Sequence, residues 1–81
     1  MRIKILFFAT LRDYVGAKTI ELEIPVDTTV AGLKGLLVRK YPKMIPAQNS
    51  IMAAINREYA ADEQTIPLDA EIALFPPVSG G

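Results

Sequence analysis

The apolar positions of this chain change period twice. Over residues 1–9 they alternate: Ile3, Ile5, Phe7 and Ala9 fall on one side, and Arg2, Lys4, Leu6 and Phe8 on the other. That is the two-residue period of a strand. Both sides turn apolar toward Phe8, which predicts a central strand whose second side is covered or used. Residues 18–24 alternate more cleanly, with Ile20, Leu22 and Ile24 inward and Thr19, Glu21 and Glu23 outward. Between them, Thr10 to Val15 predicts a short helical turn stopped by Gly16. The two strands are expected to pair as an antiparallel hairpin with a longish loop.

After Pro25 the period becomes helical. Val30, Leu33, Leu36, Leu37 and Tyr41 share a stripe, with Lys34, Arg39 and Lys40 largely off it. Asp27, Thr28 and Thr29 supply candidate caps, and Pro42 stops the helix. Gly32 and Gly35 each cost about 1 kcal/mol against Ala in a helix; close packing of the helix on the sheet is the expected reason for them. Residues 43–50, with Pro46, read as a loop. Residues 51–56 read as a third strand, 58–60 as a short fourth and 71–75 as the last. The connection 62–70 is expected to plug the core with Leu68.

The predicted architecture is an α+β roll: a mixed four- to five-stranded sheet with one main helix packed on one face. The last strand should lie parallel to the first, in the middle of the sheet, after a long crossover. If the inward residues face the helix, strand alternation sends Leu6, Phe8, Ala73, Phe75, Met52 and Ala54 to the other face. An apolar patch of that kind marks a partner surface, with Phe8 and Phe75 as its anchors. The competing expectation covers this face with residues 43–50 or 61–70.

Composition narrows the chemistry. Eighty-one residues make one domain, burying about 60–65% of the unfolded surface, and 51% hydrophobic residues suffice for one core. There is no Cys and no His, so disulfides, cysteine nucleophiles, His-based triads and the commonest metal sites are excluded, and no metal is expected. Nine Lys+Arg balance nine Asp+Glu without a long run of either sign, which argues against nucleic-acid binding. No apolar run approaches a membrane span, and Met1-Arg2-Ile3-Lys4 opens a strand, not a signal peptide. A cytoplasmic domain is the expectation. Asp62 with Glu63 imitates a paired-carboxylate site, but nothing nearby completes one.

The most informative stretch is Phe75-Pro76-Pro77-Val78-Ser79-Gly80-Gly81. A chance Gly-Gly ending occurs in roughly one chain in two hundred. Pro76 and Pro77 fix φ and cannot continue a central strand, so they direct an extended exit. The expected division is a domain over 1–75 and an extended tail over 76–81. The tail's one reactive group is the Gly81 carboxylate, and two residues without side chains suit a narrow channel. The alternative is a frayed or appended terminus.

This order of elements, ending in Gly-Gly, resembles the ubiquitin-like β-grasp proteins. Ile5-Leu6-Phe7-Phe8-Ala9, then Leu11-Arg12-Asp13 and Gly16, with the Phe-Pro-Pro-Val-Ser-Gly-Gly ending, is similar to the small, sulfur-carrier subunits of molybdopterin synthase. The resemblance covers the whole chain; Asp69-Ala70-Glu71 departs from the family's common Asp-Gly-Asp-Glu. It implies that an E1-like adenylating enzyme consumes ATP to convert the Gly81 carboxylate to an acyl-adenylate. A sulfur-donor protein then supplies persulfide sulfur, leaving a C-terminal thiocarboxylate. In complex with the large catalytic subunit, in a heterotetramer, the tail delivers sulfur to a cyclic pyranopterin precursor. It further implies that Gly81 bears the sulfur and Gly80 threads the channel behind Pro76, Pro77, Val78 and Ser79. Phe8, Arg12, Phe75 and Leu6 become partner contacts. No cofactor is permanently bound, and the acids and bases belong to the partners. For Arg12 the residues alone leave open an ordinary surface ion pair with Asp13 or another acid. The alternatives are a β-grasp sulfur carrier for thiazole, cysteine or tRNA thiolation, a protein modifier joined to lysines, and an interaction module with an inert tail.

Overall fold

The computed structural model describes residues 1–77; Gly81, expected to bear the sulfur, and Val78, Ser79 and Gly80, three of the five expected threading residues, lie outside the described residues. The elements follow as β1 (Arg2–Phe7), α1 (Thr10–Val15), β2 (Thr19–Glu23), α2 (Val30–Lys40), β3 (Met52–Ile55), β4 (Glu58–Ala60) and β5 (Glu71–Phe75). The sheet order is β2-β1-β5-β3-β4. β1 pairs antiparallel with β2 and parallel with β5, so the first and last strands occupy its middle, as the pattern predicts.

β1 ends two residues earlier than alternation suggests. Ala9 takes φ 52°, ψ −132°, a positive-φ turn conformation that breaks the extended run. Leu11 N–H donates to Phe8 O at 3.1 Å and Arg12 N–H to Ala9 O at 3.1 Å, which starts α1. Gly16, at φ 83°, closes α1 by donating to Arg12 O at 2.7 Å, a positive-φ helix stop that glycine adopts without penalty.

Thr29 caps α2, its Oγ1 accepting from Gly32 N–H at 3.1 Å. Val30, Leu33 and Leu37 are fully buried, Val38 joins them, and Leu36 and Tyr41 are half-buried against the same core. That core also takes Ile3, Ile5, Phe7, Leu11, Ile72 and Leu74. Lys34, placed off the stripe by periodicity, is nevertheless 89% covered: its side chain is 11% exposed. Its Nζ donates to Ile51 O at 2.6 Å and Asp62 Oδ1 at 2.7 Å, tying the helix to both ends of the β3–β4 hairpin.

Three expectations are corrected. Residues 42–50 are a 3-10 helix, not an irregular loop, with Met44 fully buried beside α2; Pro42 at the first position sets φ for a new turn where α2 stops. Leu68 does not plug the core, being 67% exposed, whereas Ile66 is 2% exposed. Ile66 N–H donates to Thr28 O at 2.9 Å beside a Thr29–Thr65 bridge, which locks Ile66 inward before Pro67 turns the chain away. Nor does close sheet packing account for the helix glycines. A Cβ on Gly35 meets nothing within 4 Å, and one on Gly32 meets Thr28 Cγ2 at 3.3 Å and Thr29 Oγ1 at 3.4 Å, both in the cap.

Candidate functional site

Residues opposite one another across a ladder point to the same face of a sheet. Leu6 stands opposite Ala73, Ala73 opposite Ala54, Met52 opposite Phe75, and Ala54 opposite Tyr59. The core-facing set is out of phase with these: Phe7, Leu74 and Ala53, then Ile5, Ile72 and Ile55. Leu6, Ala73, Ala54, Met52, Phe75 and Tyr59 therefore share the face away from α2. Neither connection covers them, because Met44 and Ile66 commit residues 42–50 and 61–70 to the helix-side core. On this face Leu6, Met52, Ala73 and Phe75 are half-buried, Ala54 is buried and Tyr59 is exposed.

Its upper end is aromatic. Phe8 extends the ladder by donating its N–H to Leu74 O at 3.1 Å, and its side chain is 39% exposed. The Phe75 ring lies 6.5 Å from Phe8 at 80° and 5.7 Å from Tyr59 at 70°. Such edge-to-face pairs are each worth about 0.5–1.5 kcal/mol beyond their burial. Arg12 stands over this end, its guanidinium carbon 5.7 Å from the Phe8 centroid and its Nε donating to Phe7 O at 3.0 Å. It makes no ion pair with Asp13; among the described residues its partners are the ring and the carbonyl. Leu6 is half-buried between Thr19 and Ala73.

The lower end of the same face is charged. Arg2 lies 3.6 Å from Glu21 and 3.3 Å from Glu23, all exposed, so these pairs contribute little to stability. The apolar surface thus begins beyond Lys4 and rises to Phe75, where β5 ends. Pro76 follows half-buried and Pro77 exposed. The chain leaves the body directly beside Phe8, Phe75 and Tyr59.

Tyr59 was not singled out by sequence reasoning. Its face depends on the register of β4, set by a tight turn in which Asn56 (φ 49°) and Arg57 (φ 74°) both adopt positive φ. The signal available was an aromatic residue in the middle of a three-residue strand. At the Met52 and Tyr59 edge of the patch, the Lys34 bridge occupies Asp62, which removes the Asp62–Glu63 pair as an acid–base candidate. A hollow of about 400 Å³ opens beside that bridge, between β4 and α2, with Lys34 already satisfied on its floor. Among the described residues no three His, Cys, Asp or Glu gather to hold a metal, and no helix is long and apolar enough to cross a membrane.

A five-stranded mixed sheet with a parallel central pair, one main helix on its inner face and a last strand running off an outer aromatic patch defines a ubiquitin-like β-grasp domain. The pattern of the ThiS family matches residues 5–81, and the chain belongs to that family. It is 32% identical over 81 residues to the molybdopterin synthase sulfur carrier subunit of Arabidopsis thaliana, covering 100% of this chain and 84% of that one. SAMP1 from Haloferax volcanii, a small archaeal modifier protein, superposes with a TM-score of 0.84 at 29% identity, covering 100% of both chains. A chain in the complex of subunits 1 and 2 of molybdopterin-converting factor from Helicobacter pylori 26695 has a TM-score of 0.68 at 16% identity over 100% of both chains, which shows the shared fold.

Proposed function

We propose that this protein is the sulfur carrier of a molybdopterin synthase, with the Gly81 carboxylate as its working group. The observation that carries the reading is the exit of the chain: β5 ends at Phe75, in ring contact with Phe8 and Tyr59, and runs straight into Pro76 and Pro77. One partner can therefore grip the patch and receive the tail together. A carboxylate is a poor electrophile, so an E1-like enzyme first exchanges it with ATP for an acyl-adenylate and pyrophosphate. The terminal sulfur of a donor protein's persulfide attacks the acyl carbon and AMP leaves. A thiol then cleaves the sulfur–sulfur bond, releasing the C-terminal thiocarboxylate and a disulfide. The large catalytic subunit, packed on Leu6, Phe8, Arg12 and Phe75, takes sulfur from it for the cyclic pyranopterin precursor and hydrolyses the acyl group back to carboxylate. The Helicobacter protein–protein complex of subunits 1 and 2, one chain of which shares this fold, supports such pairing, as does the likeness to the Arabidopsis sulfur carrier subunit. Gly80 and Gly81 keep the threaded end free of side chains.

A second reading, a protein modifier joined through Gly81 to lysines, is favoured by the likeness to SAMP1. Intact mass spectrometry of the purified protein, followed by fragmentation, separates the two. The carrier reading expects one oxygen replaced by sulfur on the Gly80-Gly81 peptide, labile to mild hydrolysis. Because Met oxidation of any of the three Met residues adds nearly the same mass, the shift must be located. An unmodified tail after incubation with ATP, adenylating enzyme and sulfur donor, with conjugates appearing on other proteins, favours the modifier.

A further inference from the structure

The chain has no net charge, yet the fold separates its charges along the strand direction. Arg12 is bonded to Phe7 O, and Lys18 accepts from Phe7 N–H at 2.8 Å through its carbonyl. Tyr41 packs its ring 6.5 Å from Phe7, which places its neighbours Arg39, Lys40 and Lys43 at the same end. Against these five cations that end carries Asp13 and, just past Ala60, which is level with Leu74 and Phe7, the acids Asp62 and Glu63, of which Asp62 is already taken up by Lys34. All five are exposed, and among the described residues none is in an ion pair. The opposite end, where β2 finishes and β5 begins, holds six acids, Glu21, Glu23, Asp27, Glu58, Asp69 and Glu71, against three cations, Arg2, Lys4 and Arg57, and Arg2 is already taken up by Glu21 and Glu23. Attraction to the C-terminal dipole of α2 accounts for Arg39 and Lys40. It does not account for Lys43, Lys18 or Arg12, which lie off that helix.

The positive end is the end from which the tail departs, because Phe7 is in register with Leu74 and Phe8 bonds to Leu74 O. We propose that these cations are a steering surface that brings the chain tail-first onto an acidic rim around the entrance of its adenylating enzyme. The inference rests on the sulfur-carrier reading and names the partner chemistry that reading lacks. The cations stand on the folded body, six residues short of Gly81, so they meet the entrance and not the nucleotide at its floor. A carrier that must leave one partner for the next gains more from fast encounter than from added contacts, and a field of one sign raises association rates without slowing release.

The test is stopped-flow association of the full-length carrier with the host's E1-like adenylating enzyme, over a range of NaCl. The wild-type rate falls as salt rises. Arg39→Gln/Lys40→Gln/Lys43→Gln lowers the low-salt rate by about tenfold and flattens its salt dependence, with the dissociation rate unchanged. Arg2→Gln/Lys4→Gln/Arg57→Gln removes equal charge from the other end and leaves the rate near wild type. Thermal unfolding confirms that each variant is folded; Lys18→Gln/Lys43→Gln is the substitute should the first fail. A salt-independent wild-type rate, or equal slowing by both triple variants, overturns the proposal. Slowing seen only with ATP on the enzyme assigns the cations to the nucleotide and overturns the acidic rim. Pyrophosphate release at saturating carrier reports adenylation itself, so failure of the carrier reading shows there and not in the rates.

Discussion

Tyr59 and Phe75 meet edge to face, 5.7 Å apart, although they lie on strands that are not neighbours. β3 separates them, and its small Ala54 beneath Tyr59 lets the rings reach across. Together with Phe8 they make a ridge of three rings at the point where the chain departs.

That ridge predicts where binding energy concentrates. Phe75→Ala should weaken binding of the large catalytic subunit by about 2 kcal/mol, roughly thirtyfold in Kd. Tyr59→Ala should weaken it less, since Tyr59 is 72% exposed and makes only one ring contact of this kind. Isothermal titration measures both, and circular dichroism should show the fold intact. An unchanged Kd for Phe75→Ala would remove the patch from the docking argument.

The tail prediction is independent of the patch. One Ala appended after Gly81 moves the carboxylate beyond its attack position and adds a methyl group to the threaded end. Thiocarboxylate formation should be lost while large-subunit affinity is kept. Sulfur transfer at the wild-type rate in this variant would rule out chemistry at Gly81.

Core placement separates two neighbours in one loop. Ile66→Ala should cost about 2–5 kcal/mol, the usual range for a buried aliphatic truncated to Ala. Leu68→Ala should stay within about 0.5 kcal/mol, as exposed substitutions do. Chemical denaturation of the two variants checks this directly, and a reversed order would contradict the burial of Ile66.

Helix α2 carries a removable cost. Gly35→Ala finds open space around its new Cβ and should stabilise by about 1 kcal/mol, a rise of roughly 4–8 °C in Tm for a domain of this size. Gly32→Ala should gain less, because its Cβ meets the Thr28 methyl at 3.3 Å. Differential scanning calorimetry distinguishes them. No rise for Gly35→Ala would reopen the question of why a glycine stands there.

The elements were legible because their signals are local. Two-residue alternation located β1, β2 and β5, the Val30–Leu33–Leu37 spacing located α2, and Thr29 and Gly16 announced a cap and a stop. The central parallel pair was also accessible, since a long crossover after a hairpin leaves few other arrangements. Misreadings occurred where the deciding contact is remote in sequence. Leu68 and Ile66 are alike in hydropathy, and only the bond from Ile66 to Thr28, thirty-eight residues away, selects between them. Lys34 reads as a solvated helix charge until Ile51 O and Asp62 arrive around it.

The sequence by itself determined the periods, the breaks between them and the chemistry of a chain without His or Cys, ending on Gly-Gly, because these depend on residue type and spacing alone. Only the tertiary structure decided which aromatics stand together, that Arg12 lies on Phe8 in preference to pairing with Asp13, and that the charges of a neutral chain gather as cations around the tail exit. Those relationships join strands and turns that are distant along the chain. Register and topology bring them together, and no local pattern encodes a register.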